Sequence, residues 1–135
     1  MSDIWLSPHF KLSEFACPDG CGFGTREEDV SQSLVELLEL TRLEWGRPLI
    51  ITSGCRCYAR NLAIGGGTRS RHLRGVAADL GISDPGERMK YLSLVKTMYN
   101  AGLIPKLGGL GWKMYKNGCV HLDTDRADDG HLRVW

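Results

Sequence analysis

The chain has 135 residues, 42% of them hydrophobic and 24% charged, which is the balance of a globular protein at the length of one domain. Seventeen basic against sixteen acidic residues leave a net charge of +1, so the broad basic footprint of a nucleic-acid binder is missing. No apolar run reaches the roughly 18 residues of a membrane span, no basic and then apolar leader follows Met1, and five cysteines cannot all pair within one chain. One domain over residues 1–135, monomeric and made without a signal peptide in a reducing cytoplasm, is therefore expected; there, close cysteines more often mean thiols or metal ligands than disulfides.

In chain order, Ser33-Leu34-Val35-Glu36 reads as a capping box, and Leu34, Leu37, Leu38 and Trp45 recur at helical spacing until Gly46 and Pro48. Leu49-Ile50-Ile51-Thr52, closed by Ser53-Gly54, predicts a buried strand. A short helix around Tyr58 to Ile64 precedes the triple glycine 65–67, and Val76 to Ile82 reads as a second strand. Asp84-Pro85-Gly86-Glu87 opens another helix, with an N-cap, a proline at the first helical position and an acid three residues after the cap. Met89, Leu92, Val95 and Tyr99 predict its buried stripe, and Gly102 its end. Gly108 to Gly111 introduces a strand near Trp112, Lys116-Asn117-Gly118 carries a hairpin signal, and Cys119 to Asp123 reads as the returning strand. The alternation predicts a small α+β domain with a central antiparallel sheet flanked by helices.

The segment Ser70-Arg71-His72-Leu73-Arg74-Gly75-Val76-Ala77-Ala78-Asp79 sets a histidine seven residues ahead of an aspartate, with small residues between them that allow a turn and close packing. Imidazole nitrogen and carboxylate oxygen both ligate zinc, and catalytic zinc takes three protein ligands and keeps a fourth position for water. Val120-His121-Leu122-Asp123 supplies a third ligand, since strand alternation puts His121 and Asp123 on one face with Cys119 beside them. His72, Asp79 and His121 are the expected ligands, with Asp123 a carboxylate that either orients a ligand or takes part in catalysis.

Three stretches, in order, carry a family resemblance. They are Phe10-Lys11-Leu12-Ser13-Glu14-Phe15-Ala16-Cys17; Ile51-Thr52-Ser53-Gly54-Cys55-Arg56-Cys57 continuing through Asn61 and Gly65-Gly66 to Asp79; and Gly109-Leu110-Gly111 with Val120-His121-Leu122-Asp123. Together they resemble the zinc D-alanyl-D-alanine carboxypeptidases and related L,D- and D,D-endopeptidases of bacterial cell walls and phage endolysins, which share a fold with lysostaphin-type enzymes and hedgehog domains. The resemblance implies His72, Asp79 and His121 as zinc ligands and places Arg56 near the metal, where it stabilises the oxyanion formed on attack. It also implies a zinc-held water as nucleophile and a carboxylate to move its proton. Several relatives place a glutamate three residues before the last histidine ligand. Here that position is Gly118, which leaves Asp123 as the remaining candidate, either as base or as an acid orienting an imidazole.

Cys17 and Cys21 sit around a Pro-Asp-Gly turn, and Cys55 and Cys57 flank Arg56. Four thiols from two loops can hold a structural zinc, but the spacings are not those of a zinc ribbon, and buried free thiols are the expectation. Cys55 stands where the family has an aromatic residue. His131, in a polar tail, is expected at the surface, Trp45 in the core, and Trp112 either packed or lining a groove. The resemblance implies a zinc peptidase acting on peptidoglycan stem peptides, reaching the wall through phage lysis or in a virion. The alternative is a non-catalytic zinc-containing binding or virion module of the same fold.

Overall fold

The computed structural model describes residues 3–113, 118–126 and 130–135. The Lys116-Asn117 part of the hairpin signal lies outside the described residues, as do positions 127–129 of the polar tail. A two-stranded hairpin, β1 (Trp5–Ser7) and β2 (Phe10–Lys11), opens the chain. Helix α1 (Gln32–Trp45) follows, then β3 (Ile51–Ser53), α2 (Tyr58–Ala63), β4 (Ala77–Gly81), α3 (Pro85–Asn100), β5 (Gly109–Gly111), β6 (Cys119–Asp123) and β7 (Arg133–Val134).

The second sheet has the order β3-β4-β6-β5-β7. Its pairings are antiparallel from β3 through β5, while β7 joins β5 in parallel, so the expected antiparallel sheet is mixed at one edge. Alternation along β4 and β6 sorts side chains onto two faces. Ala78, Leu80, Val120 and Leu122, with Leu110 of β5, join Leu34, Leu38, Leu92 and Val95 of the two long helices in one hydrophobic core. The opposite face carries Asp79, His121 and Asp123, with Ala77, Gly109 and Gly111 as small cross-strand neighbours and Gly81 opposite Cys119. A helix-covered face thus supports a face given over to polar groups.

Three local expectations shift. The strand expected to be buried over 49–52 is β3 at the sheet's edge, with Ile50 and Thr52 exposed. Helix α1 is capped by Ser31, whose hydroxyl accepts from the Leu34 amide at 3.4 Å, so Ser33 lies inside the helix. The Ser31 amide donates to the Gly75 carbonyl at 2.9 Å, a tertiary anchor that sets the helix start two residues before the capping box. In α3, capped by Asp84 as expected, the buried residues are Tyr91, Leu92, Val95 and Met98, while Met89 is exposed. The stripe rotates because the Tyr91 hydroxyl reaches Thr41 of α1 at 2.9 Å, and Trp45 packs edge-on against the Tyr91 ring. Among the described residues, no helix is long and apolar enough to cross a membrane.

Candidate metal centre

His72 sits in a 3-10 turn, Arg71–Arg74, that ends at Gly75 with φ +69°. A side chain at position 75 would be strained by that backbone, and its Cβ would come within 1.9 Å of the Asp29 carbonyl, which accounts for the glycine between histidine and aspartate. Asp79 lies in β4 directly opposite His121 in β6, and Ala77 directly opposite Asp123. The three expected ligands converge: one donor atom from each of His72, Asp79 and His121 lies within 4.8 Å of the other two, and all three residues are buried.

The hydrogen bonds define which atoms face inward. His72 Nδ1 lies 2.6 Å from the Gly54 carbonyl oxygen, which can only accept, so this nitrogen carries the proton and Nε2 presents a lone pair. That Nε2 is 3.1 Å from Asp79 Oδ1. His121 Nε2 is 2.8 Å from Asp123 Oδ2, leaving His121 Nδ1 to face the same Asp79 Oδ1 at 3.0 Å. With both imidazoles neutral, three lone pairs meet at one buried point, an arrangement that demands a cation between them. Ligand atoms held at the 2.0–2.1 Å zinc distance in a tetrahedron stand about 3.3 Å apart, close to these separations. The donor set therefore fits zinc.

Burial works against the charged forms here, yet the partners prevail. Burial works to raise the Asp79 carboxyl, but imidazoles protonated toward it, the form His121 and His72 take when no cation separates them, hold it below its ordinary range. Burial likewise favours neutral His121, but Asp123 and Asp79 outweigh it and raise that imidazole.

Asp123 is fully buried behind His121. Its Oδ1 accepts from the Asp125 amide at 3.0 Å and pairs with Arg133 Nη2, while Oδ2 faces His121. Gly109 makes room for this pairing, since a Cβ there would lie 2.4 Å from Asp123 Oδ2 and 2.9 Å from Arg133 Nη2. Gly111 does the same for Trp135, whose ring stands 5.0 Å from that of His121.

Arg56 is also buried. Its Nη2 lies 3.6 Å from Asp79 Oδ2 and donates to Ser53 Oγ at 3.1 Å, and its Nη1 donates to Asn61 Oδ1 at 3.0 Å and Ser70 Oγ at 3.4 Å. Asn61 in turn donates to the Gly67 carbonyl, and a Cβ at Gly66 would fall 2.0 Å from Asn61 Oδ1. The asparagine, the glycine run and the signature serine thus form the cradle of one arginine.

His72, Asp79, His121 and Arg56 line a cavity of about 730 Å³, walled also by residues 64–71 and Trp135. Among the described residues Asp79 is the only carboxylate on that wall. Gly118 has φ +75°, and a Cβ there would come 2.9 Å from Ser83 Cα, so the position where relatives carry an acid is a strained turn in this chain. Trp112 is half-buried, with Lys96 over its ring, and does not line the cavity; His131 is exposed. Arg133 and Trp135 escaped sequence reasoning because a two-residue strand carries no periodicity; a basic and an aromatic residue so close to the last strand were the available signal.

Two imidazoles and a carboxylate converging at a cavity on the open face of an α+β sheet are a donor set suited to a metal-dependent hydrolase. The family described as Peptidase M15 matches residues 8–123, and the chain belongs to it, which makes the class that of the metallopeptidases. A comparison with curated proteins finds no match.

Proposed function

We propose that the protein is a zinc peptidase that hydrolyses peptidoglycan stem peptides, as a D-Ala-D-Ala carboxypeptidase or an L,D- or D,D-endopeptidase. The observation that carries the reading is the convergence of His72 Nε2, His121 Nδ1 and Asp79 Oδ1, the two imidazoles turned inward by Gly54 and Asp123 on their far sides. These three atoms would hold the ion, which when bound polarises the scissile carbonyl and activates water for attack.

The remaining residues act on geometry and charge. Gly54 and Asp123 hold the two imidazoles in the tautomers that ligation needs. Of the two roles open to Asp123, orienting His121 is the better supported, because both carboxylate oxygens are engaged and neither lines the cavity. Arg56 presents a fixed positive charge beside Asp79, suited to the negative charge that develops on the carbonyl oxygen, and its cradle keeps that charge in place without reorganisation. Arg69 adds positive charge to the wall, beside Arg71, which pairs with Asp125 at 2.9 Å, and this charge suits the carboxylates of a short anionic peptide. Acting as a monomer, the domain would reach the wall through phage lysis or in a virion.

Purified peptidoglycan incubated with the zinc-loaded protein should release D-alanine or cleaved muropeptides detectable by mass spectrometry. A chelator should abolish release and added zinc restore it. A fully zinc-loaded protein that turns over no cell-wall substrate would point instead to a binding or virion module of the same fold.

A further inference from the structure

A second set of ligating side chains gathers away from the histidines. The sulfur atoms of Cys17, Cys21 and Cys57 lie within 4.8 Å of one another, although they come from a turn near the N-terminus and from the residue that caps α2. The turn is built to bring the first two together. The Cys17 amide donates to the Phe23 carbonyl at 2.9 Å, the Gly20 amide to the Cys17 carbonyl at 3.4 Å, and Gly20 and Gly22 take φ +70° and +93°. Cys57 Sγ accepts from the Arg60 amide at 3.4 Å, which fixes its rotamer. Asp19, at the turn's tip, places Oδ2 3.9 Å from Cys57 Sγ, and its Oδ1 lies 3.8 Å from Arg60 Nη1.

Core packing does not explain the cluster, because Cys21 is exposed and Cys57 only half-buried. Cys55 stands apart from it: its Sγ turns to the Asp29 carbonyl, and burial pushes its thiol up to about 12.

We propose that Cys17, Cys21 and Cys57 bind a structural zinc ion as thiolates, with the fourth position filled by water or by the Asp19 carboxylate turning in from beside Cys57. Each thiol gives its proton to solvent on binding, so three protons leave per ion bound and no oxidant or reductant is needed. Three thiolates around a divalent ion leave one negative charge, which Arg60, beside Asp19, partly offsets. The ion would clip the N-terminal loop to the turn that carries the Gly54 carbonyl and Arg56. That junction is already tight: the Cys55 amide donates to the Phe15 carbonyl at 2.8 Å, and a Cβ at Gly54 would lie 2.7 Å from Phe15 Cα.

The test is elemental analysis of the full chain purified under reducing conditions, paired with cobalt substitution. Two zinc ions per chain are expected, falling to one in Cys21→Ser and, independently, to one in His121→Ala. The cobalt form should show an intense near-ultraviolet thiolate-to-metal charge-transfer band that survives in His121→Ala and vanishes in Cys21→Ser. Cys21 is exposed, so its serine variant should fold, which circular dichroism checks. Zinc content unchanged by Cys21→Ser, a cobalt protein without the band, or a disulfide joining two of these cysteines in the zinc-loaded protein would overturn the proposal. A chain whose single zinc is lost in Cys21→Ser but kept in His121→Ala would support the cysteine site while removing the histidine one.

Discussion

Replacing Asp123 with asparagine keeps the shape of the side chain and removes one acceptor oxygen and the charge. In the native site three donors share the two oxygens: His121 Nε2 at 2.8 Å, the Asp125 amide at 3.0 Å, and Arg133 Nη2. If the amide oxygen stays with Arg133 and Asp125, its NH2 group faces His121 Nε2, which must then become an acceptor. The imidazole proton moves to Nδ1, the atom that faces Asp79, and that nitrogen can no longer ligate. Loss of such an outer partner costs 10–100-fold in metal affinity, or about 1.4–2.7 kcal/mol. Competition with a chromophoric chelator measures the zinc dissociation constant, and turnover at saturating zinc separates affinity from chemistry. Asp123→Asn should bind zinc one to two orders of magnitude more weakly and recover much of its turnover when zinc is saturating. Native zinc affinity with turnover abolished would refute the orienting role and make Asp123 the base.

Gly75→Ala meets both the left-handed backbone and the Asp29 carbonyl, so it should destabilise the fold by roughly 2–5 kcal/mol; a urea midpoint equal to that of wild type would contradict this. Glu39 ties the β1-β2 hairpin to α1 by accepting from Ser7 Oγ and the His9 amide at 2.7 Å each. Burial works to raise this carboxyl, but the bonds from Ser7 and His9 outweigh it and hold it low. A depressed folded value contributes stability above the ordinary glutamate value and loses it as pH falls through the folded one. Thermal melts between about pH 6 and pH 3 should therefore show the advantage of wild type over Glu39→Gln shrinking on acidification; a constant gap would show that the carboxylate form is not what the hairpin binds.

The chemistry-bearing strands were legible because their information is local. Alternation put Cys119, His121 and Asp123 on one face, and β6 spans the expected residues. Asp84 and Pro85 announced α3 because a cap and a first-turn proline act within four residues. Elements decided at long range were not legible. Ser31 and Ser33 are equally good caps, and the bond from the Ser31 amide to Gly75 selects between them. Tyr91 falls outside the expected stripe of α3, and its burial depends on Thr41 supplying a partner for its hydroxyl. At the site, the sequence picked out the three residues that converge, and Asp123 behind one of them, but not Gly54 or Arg133. Gly54 acts through a backbone carbonyl, which any residue has, and Arg133 reaches Asp123 only because β7 pairs in parallel with β5. The glycines of β5 had a motif but no visible reason until Asp123, Arg133 and Trp135 occupied the space their side chains would fill.

The most direct measurement is a crystal structure of the zinc-loaded protein with anomalous data at the zinc edge. An anomalous peak is expected in contact with His72 Nε2, Asp79 and His121 Nδ1, with Asp123 still bonded to His121 Nε2. Loaded crystals with no peak at these three residues, or an ion bound through His121 Nε2, would contradict the metal centre on which the peptidase reading rests.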